Sequence, residues 1–372
     1  MWVNTPSSQF CKLDAGVCGT SGTYTANSSS TYSYLNSYFN ISYVDGSSAA
    51  GDYVKDTISM SDMKIDDFQF GIGYSSSSAQ GVLGIGYAAN EAQVVRAGQK
   101  QYDNLPARMV ASDLIGANTY SIWLNDAESS TGSLLFGGID KSQYKGDLVT
   151  VPIEKVGNQF REFFITMTGL ELDSKEVEKD MALAVLLDTG SSLTYLPNDI
   201  VKTLYTQLNA TYLEQDQVAF IRCEAPNQPK ELTFKFSDPA SVTIQMEEMM
   251  LNITKNDGSP ITYKDGSRAC LLGIAPGGTG TMVLGDTFLR SAYVVYDLDN
   301  NEISLAQSNF EAKGSNVVEI SKDSKVSDIA TKVAKPVSAQ SGLPEVSVSS
   351  DGLMLRPHRG MCLIVMIAFA FL

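Results

Sequence analysis

Histidine is nearly missing from this chain: among 372 residues there is one, His358. It stands beside an apolar C-terminal stretch, away from any segment that reads as folded core. Hydrolysis through a Ser-His-Asp or Cys-His arrangement needs an imidazole at the nucleophile, so those chemistries are excluded. Zinc sites of the usual histidine type are excluded with them. If the chain is a hydrolase, carboxylates must carry its acid–base work. Charge is also sparse, at 19% of residues, and its acidic excess leaves a net charge of -15. Nucleic acid phosphates would be repelled by such a surface. Only Trp2 and Trp123 supply indoles. That weighs against a glycosidase, which would also use two carboxylates but would normally display aromatic platforms.

What is present points to strands. The chain is 43% hydrophobic and long enough to bury a large core, most naturally as two packed lobes. From Trp2 to Phe310 the apolar residues fall in short β-rich runs broken by Gly, Ser, Asn and Asp. Tyr38–Tyr43, Ser133–Gly137, Leu232–Phe236 and Tyr293–Asp297 are examples, a spacing that predicts an all-β architecture with a few short helices. Two stretches read as helix: Leu105–Leu114, with Asn104 as cap and Pro106 in the first turn, and Asp199–Leu208 behind Asn198. Gly81-Val82-Leu83-Gly84 is echoed by Met282-Val283-Leu284-Gly285.

Five cysteines are present: Cys11, Cys18, Cys223, Cys270 and Cys362. Cys11 with Cys18 and Cys223 with Cys270 read as disulfides, which implies an oxidising compartment; four free buried thiols are the alternative. Asn-x-Ser/Thr sequons at Asn27, Asn40, Asn209 and Asn252 fit a secretory route as glycosylation sites. Met1-Trp2-Val3-Asn4 is no signal peptide, so further N-terminal sequence is expected in the full protein. At the other end, Met361–Leu372 is almost wholly apolar, shorter than the roughly 20 residues of a membrane span. Small residues around Ser349 and Ser350, a polar spacer and that tail have the layout of a GPI-attachment signal, with Ser350 as attachment residue. A frayed apolar terminus or a tail anchor is the alternative. Between Phe310 and the spacer the chain has no aromatic residue, which predicts a disordered polar stalk over 311–350.

The sharpest chemical feature is Ala184-Val185-Leu186-Leu187-Asp188-Thr189-Gly190-Ser191-Ser192. An apolar strand delivers an aspartate into a turn whose hydroxyl and backbone donors can hold a carboxylate. A lone Asp-Thr-Gly is more often an ordinary Asx turn. Here the rest of the chain resembles the pepsin-like aspartic proteases, and the GPI-like tail makes the fungal yapsin and candidapepsin branch the nearest likeness. Asp188–Pro197 resembles the second-lobe catalytic loop, and Tyr43-Val44-Asp45-Gly46-Ser47 the flap hairpin. Asn104-Leu105-Pro106 is similar to the first-lobe helix, and Leu284-Gly285-Asp286-Thr287-Phe288-Leu289-Arg290 to the second lobe's closing strands. Cys223–Cys270 matches that lobe's disulfide.

The resemblance implies a bilobal fold, with lobes at residues 1–152 and 153–310 and an attachment signal at 351–372. It implies an endopeptidase at the cell surface or outside the cell, monomeric, acting on polypeptides and using neither cofactor nor metal. Asp188 would be catalytic. Tyr43, Asp45, Gly46, Ser47, Gly190, Ser191 and Ser192 would contact substrate. The family pattern Asp-Thr-Gly-Ser-Ser-Asp-x-Trp-Val is present only from x onward, as Met1-Trp2-Val3. On that pattern the first-lobe aspartate falls before Met1, the first lobe is incomplete, and these residues alone are expected to be inactive. A surface protein derived from a protease, binding peptides or wall components, is the competing expectation. Gly84-Ile85-Gly86-Tyr87-Ala88-Ala89 also fits a relaxed dinucleotide fingerprint, but the strand–helix alternation such a site needs is missing.

Overall fold

A computed structural model describes residues 1–43, 46–224, 229–255 and 257–345, with the backbone of Ser347–Ser349 and Gly352–Met354. Asp45, Ser350, His358, Cys362 and the apolar tail lie outside the described residues. The fold is mostly β. In the N-terminal half, Trp2–Asn4, Met63–Ser76, Ser48–Met60 and Ser33–Ser42 form one sheet in that spatial order. The two long strands turn over Ser61 and Asp62, with Met60 paired to Met63 and Ser61 at φ 51°. The inner face of this sheet buries Val54, Ile65, Phe68, Phe70 and Ile72 against Leu105 and Met109 of the helix Leu105–Ala111. Asn104 caps that helix as expected, accepting from the Ala107 N–H.

The C-terminal half holds a five-stranded sheet in the order Ile274–Pro276, Thr194–Leu196, Val283–Leu284, Leu183–Leu187, Phe164–Met167. The helix Asn198–Gln207 closes it with Ile200, Val201, Leu204 and Tyr205 buried. Its cap departs from expectation: Pro197 occupies the cap position, and the Asn198 side chain instead accepts from the Gly278 N–H at 3.0 Å. Two four-stranded sheets complete this half.

A six-stranded sheet joins the halves, in the order Thr331–Lys332, Tyr144–Pro152, Glu302–Ser308, Ala292–Asp297, Thr119–Trp123, Ser133–Phe136. Its strand Ala292–Asp297 is buried at every residue, an apolar run from Ala292 to Tyr296 closed by Asp297. Tyr120 and Tyr296 stack at 4.9 Å across the join.

The stretch after Phe310 departs from the stalk expected of it. Val317–Glu319 pairs with Gly138–Asp140, and Thr331–Lys332 runs parallel to Tyr144–Pro152. Gln340 N–H donates to the Ala182 carbonyl, and Ser341 accepts from the Ala184 N–H, both at 2.8 Å. Ile320, Val326 and Val333 are buried. Residues 311–345 are thus a strap laid over both halves. Too few apolar groups are present to form a core of their own, but each fills a gap in a surface already built.

The sequence echo has a structural meaning. Trp2 bridges Val82 antiparallel and Gly71 parallel; Tyr195 pairs with Val283 antiparallel and Ala275 parallel. Both halves thread a strand through the same environment. In each half a glycine permits a close approach, though at places the echo does not align: a Cβ on Gly81 would stand 2.2 Å from the Trp2 carbonyl oxygen, and one on Gly285 2.2 Å from that of Ser191. Gly84–Gly86 belong to the loop after this crossing and lead to the short 3-10 turn Ala88–Asn90, not to a nucleotide-binding helix.

Candidate active site

Leu183–Leu187 is a strand whose residues are largely buried, held antiparallel by Phe164–Met167 and parallel by Val283–Leu284. Asp188 leaves the end of it, its N–H donating to the Leu284 carbonyl at 3.2 Å. Its carboxylate is held on both oxygens: Gly190 N–H donates to Oδ1 at 2.9 Å and Ser191 Oγ–H to Oδ2 at 2.7 Å. Gly190 has little room for a side chain, since a Cβ would stand 3.1 Å from Asp188 Oδ1. Behind the turn, the Ser191 and Ser192 carbonyls accept from the N–H groups of Asp286 and Thr287 at 2.8 and 3.2 Å. Thr287 Oγ1 stands 3.1 Å from Thr194 Oγ1 and donates to the Gly273 carbonyl at 2.8 Å. The aspartate therefore sits on a turn fixed from two sides, with both carboxylate oxygens accepting hydrogen bonds.

Other ionisable groups feel Asp188. Burial pushes Asp286 up to about 7, with Arg290 opposing the shift and Asp188 adding to it. Burial also raises Glu162, where Arg161 opposes, Asp188 adds, and the Asn90 amide favours the charged form. The Tyr296 hydroxyl is raised by burial and by the same aspartate. Arg290 is itself engaged: its Nε donates to Glu248 Oε2 at 2.7 Å, both side chains being buried. Glu248 Oε1 accepts from the Ala127 N–H at 3.1 Å, linking this pair to the N-terminal half.

The residues expected to form a flap gather elsewhere, at the tip between Ser33–Ser42 and Ser48–Met60. Tyr43 N–H donates to the Ser47 carbonyl at 2.8 Å, and Gly46 N–H to the Tyr43 carbonyl at 3.1 Å, with Gly46 at φ 84°. The Tyr43 hydroxyl accepts from Trp2 Nε1 at 2.7 Å. Asp188, Gly190 and Ser191 thus make one cluster and Tyr43, Gly46 and Ser47 another, while Ser192 contributes backbone support to the first. Glu162 and the Glu248–Arg290 pair escaped sequence reasoning. Apart from Arg161 beside Glu162, the groups that act on them lie 26 residues or more away, as Asp188 does from Glu162 and Arg290 from Glu248, and no local pattern marks them.

Both expected disulfides form, with Cα atoms 5.5 Å apart for Cys11–Cys18 and 5.1 Å for Cys223–Cys270. Asn27, Asn40, Asn209 and Asn252 are all exposed. Among the described residues no helix is long and apolar enough to cross a membrane.

Comparisons with known proteins agree with this geometry. Residues 1–308 match the family model described as eukaryotic aspartyl protease. The chain is 47% identical over 345 residues to a probable aspartic-type endopeptidase opsB of Aspergillus oryzae, covering 91% of this chain and 70% of that protein. It is 34% identical over 320 residues to aspartic proteinase 3 of Saccharomyces cerevisiae, covering 81% and 53%. The solved aspartic proteinase from Irpex lacteus superimposes with a TM-score of 0.65 at 19% identity, covering 85% of this chain and 89% of that one.

Proposed function

The chain belongs to the eukaryotic aspartyl protease family, and from that premise we propose that Asp188 is one carboxylate of a dyad that cleaves polypeptide bonds through an activated water. Two carboxylates held close cannot both ionise, so they share a proton, as is general for aspartic proteases. The ionised one takes a proton from water, and the water oxygen bonds to the peptide carbonyl carbon. The protonated one gives its proton to the carbonyl oxygen. Collapse of that adduct returns the proton to the leaving nitrogen as the C–N bond breaks, without a covalent enzyme intermediate. Gly190 and Ser191 hold Asp188 for this, and Tyr43, Asp45, Gly46, Ser47 and Ser192 bound the substrate.

The observation that carries this reading is the equivalence of the two crossings. Tyr195 follows Asp188 by seven residues and pairs with Val283 and Ala275; Trp2 pairs with Val82 and Gly71 in the same sense. On that equivalence we read the partner carboxylate of Asp188 at a position six residues ahead of Met1. The test is a protein carrying Asp-Thr-Gly-Ser-Ser-Asp directly before Met1, assayed on an unfolded protein substrate between acid and neutral pH. Cleavage that disappears in Asp188→Asn supports the proposal; cleavage that survives the substitution overturns it.

A second reading draws on the single Asp-Thr-Gly in residues 1–372: a surface protein that holds peptides or wall components without cutting them. Peptide binding without turnover in the extended protein would favour it. We further read lobes at 1–152 and 153–310, N-linked glycans on the four exposed sequons, and an extracellular or cell-surface monomer anchored through Ser350 by the 351–372 signal. Release of the protein from cells by a phosphatidylinositol-specific phospholipase tests the anchor.

A further inference from the structure

Ser33–Ser42, the strand that leads to Tyr43, is the edge strand of its sheet. An edge strand turns a row of backbone groups away from the sheet, and without partners such a row frays. The last of these groups is the Ser42 carbonyl. Ser42 faces Ser48, whose N–H donates to Ser77 Oγ at 2.8 Å and whose carbonyl accepts from the Ser77 N–H at 3.0 Å. Both backbone groups of Ser48 thus point to the far strand, so Ser42 keeps its own on the outer edge. Arg96 meets them there. Its Nη2 donates to the Ser42 carbonyl at 3.2 Å and its Nη1 to the Ser42 hydroxyl at 3.3 Å. Among the described residues no salt bridge competes for Arg96.

The guanidinium is delivered from a fixed support, the helix Ala92–Ala97, which lies alongside Ser33–Ser42. Glu91, just before the helix, accepts from the Tyr102 hydroxyl at 2.7 Å, and the Tyr102 ring packs 5.8 Å from that of buried Tyr53. Gln93 is buried; its Nε2 donates to the Lys100 carbonyl at 2.7 Å, and its Oε1 accepts from Gln69 on Met63–Ser76 at 3.2 Å. Gly98 ends the helix at φ 60°, its N–H donating to the Val94 carbonyl at 3.1 Å. Arg96 therefore ties the residue next to Tyr43 to the body of the N-terminal half.

We propose that Arg96 is a positioning residue for the hairpin tip: it clamps the outer edge of the strand directly before Tyr43, as Trp2 holds the Tyr43 hydroxyl from the core. The clamp deepens the reading of Tyr43, Gly46 and Ser47 as substrate contacts, and its consequence for peptide binding rests on that reading. Arg96 touches no reacting atom; it limits how far the tip swings from the position in which it meets substrate.

Hydrogen exchange on the 372-residue chain tests the clamp without turnover. The Tyr43 N–H is bonded to Ser47 and the Gly46 N–H to Tyr43. In Arg96→Ala both should exchange faster, by about two- to tenfold for one lost hydrogen-bonded contact. Val54 and Phe70, paired deeper in the same sheet, should keep their rates. Arg96→Lys, which retains a charged donor, should restore part of the protection, and Arg96→Met, which retains only the stem, should not. Unmoved rates at Tyr43 and Gly46 overturn the proposal, and so does a rise spread over the whole sheet, which marks a general loss of stability. In the extended protein, Arg96→Ala should raise KM by a similar factor and leave kcat nearly unchanged. Unmoved KM despite faster exchange at the tip overturns the consequence for binding. An extended protein that never cleaves peptide refutes the dyad reading, while the exchange rates still judge the clamp.

Discussion

The indole N–H of Trp2 donates a 2.7 Å hydrogen bond to the hydroxyl of Tyr43. Trp2 is buried against Phe39, Ala49 and Tyr53, so a rigid core residue anchors the tip of a hairpin by its aromatic hydroxyl. Replacing it in Trp2→Phe keeps most of the apolar contact and removes the donor. A net hydrogen bond is worth about 0.5–1.5 kcal/mol, or roughly a two- to tenfold effect. In the active, extended protein we expect kcat/KM to fall by about that factor, with most of the loss in KM. Steady-state kinetics on a short peptide measures it, and Tyr43→Phe should reproduce the loss without adding to it.

The pH dependence of stability follows from the buried acids. Asp286 rises from its ordinary 3.8 to about 7, chiefly through burial. Glu91, Glu162 and Asp297 are raised by burial as well. A carboxyl raised on folding binds more protons in the native state between its two values, so its stabilisation is complete below the unfolded value and fades as pH climbs through the folded one. For Asp286 that window runs from about 4 to about 7. Asp56 has the opposite sign: the hydroxyls of Thr31, Tyr24 and Ser29 hold it low against the effect of burial, and its contribution fades in stronger acid. Melting temperature should therefore decline from pH 4 towards neutrality. Asp286→Asn should remove part of that decline, up to about 4 kcal/mol across the window. An unchanged pH profile in the variant refutes the assignment.

The buried pair Glu248–Arg290 supports α-helical and loop segments behind the site, and through Ala127 it reaches the other half. Removing one partner strands the other as a buried charge. Glu248→Gln or Arg290→Met alone should each cost about 3–5 kcal/mol in chemical denaturation, whereas the double substitution should cost less than either sum predicts. Additive losses would show that the two side chains do not work as a pair.

Much of this molecule is legible in its sequence because the information is local. Asp188 announces itself by an apolar strand running into Thr-Gly-Ser, and Asn104 marks its helix by sitting directly before Leu-Pro. Glu162 carries no such mark. It lies in a loop between Arg161 and Phe163, and its relation to Asp188 exists only once the strand Phe164–Met167 has paired with Leu183–Leu187 in one register. Asn198 shows the same limit at short range: its side chain was free to cap a helix, but a glycine 80 residues away took the acceptor.

The strap is the plainest case of a segment whose order depends on what it lies against, and it yields the last prediction. Val326 is fully buried with Ile320 beside Ile139, Leu148 and Tyr293, although nothing in residues 311–345 could form a core alone. Val326→Ala should cost about 1–3 kcal/mol through lost burial and the cavity left behind. Ending the chain after Phe310 should lower the melting temperature further, because it strips the covering from the edge of Tyr144–Pro152 and leaves unpaired backbone there. Hydrogen exchange gives the residue-level check: the N–H of Ile320, bonded to Gly137, and that of Val333, bonded to Thr150, should exchange as slowly as strand amides. A free stalk would exchange at the rate of an unstructured peptide, and its removal would leave the melting temperature where it was.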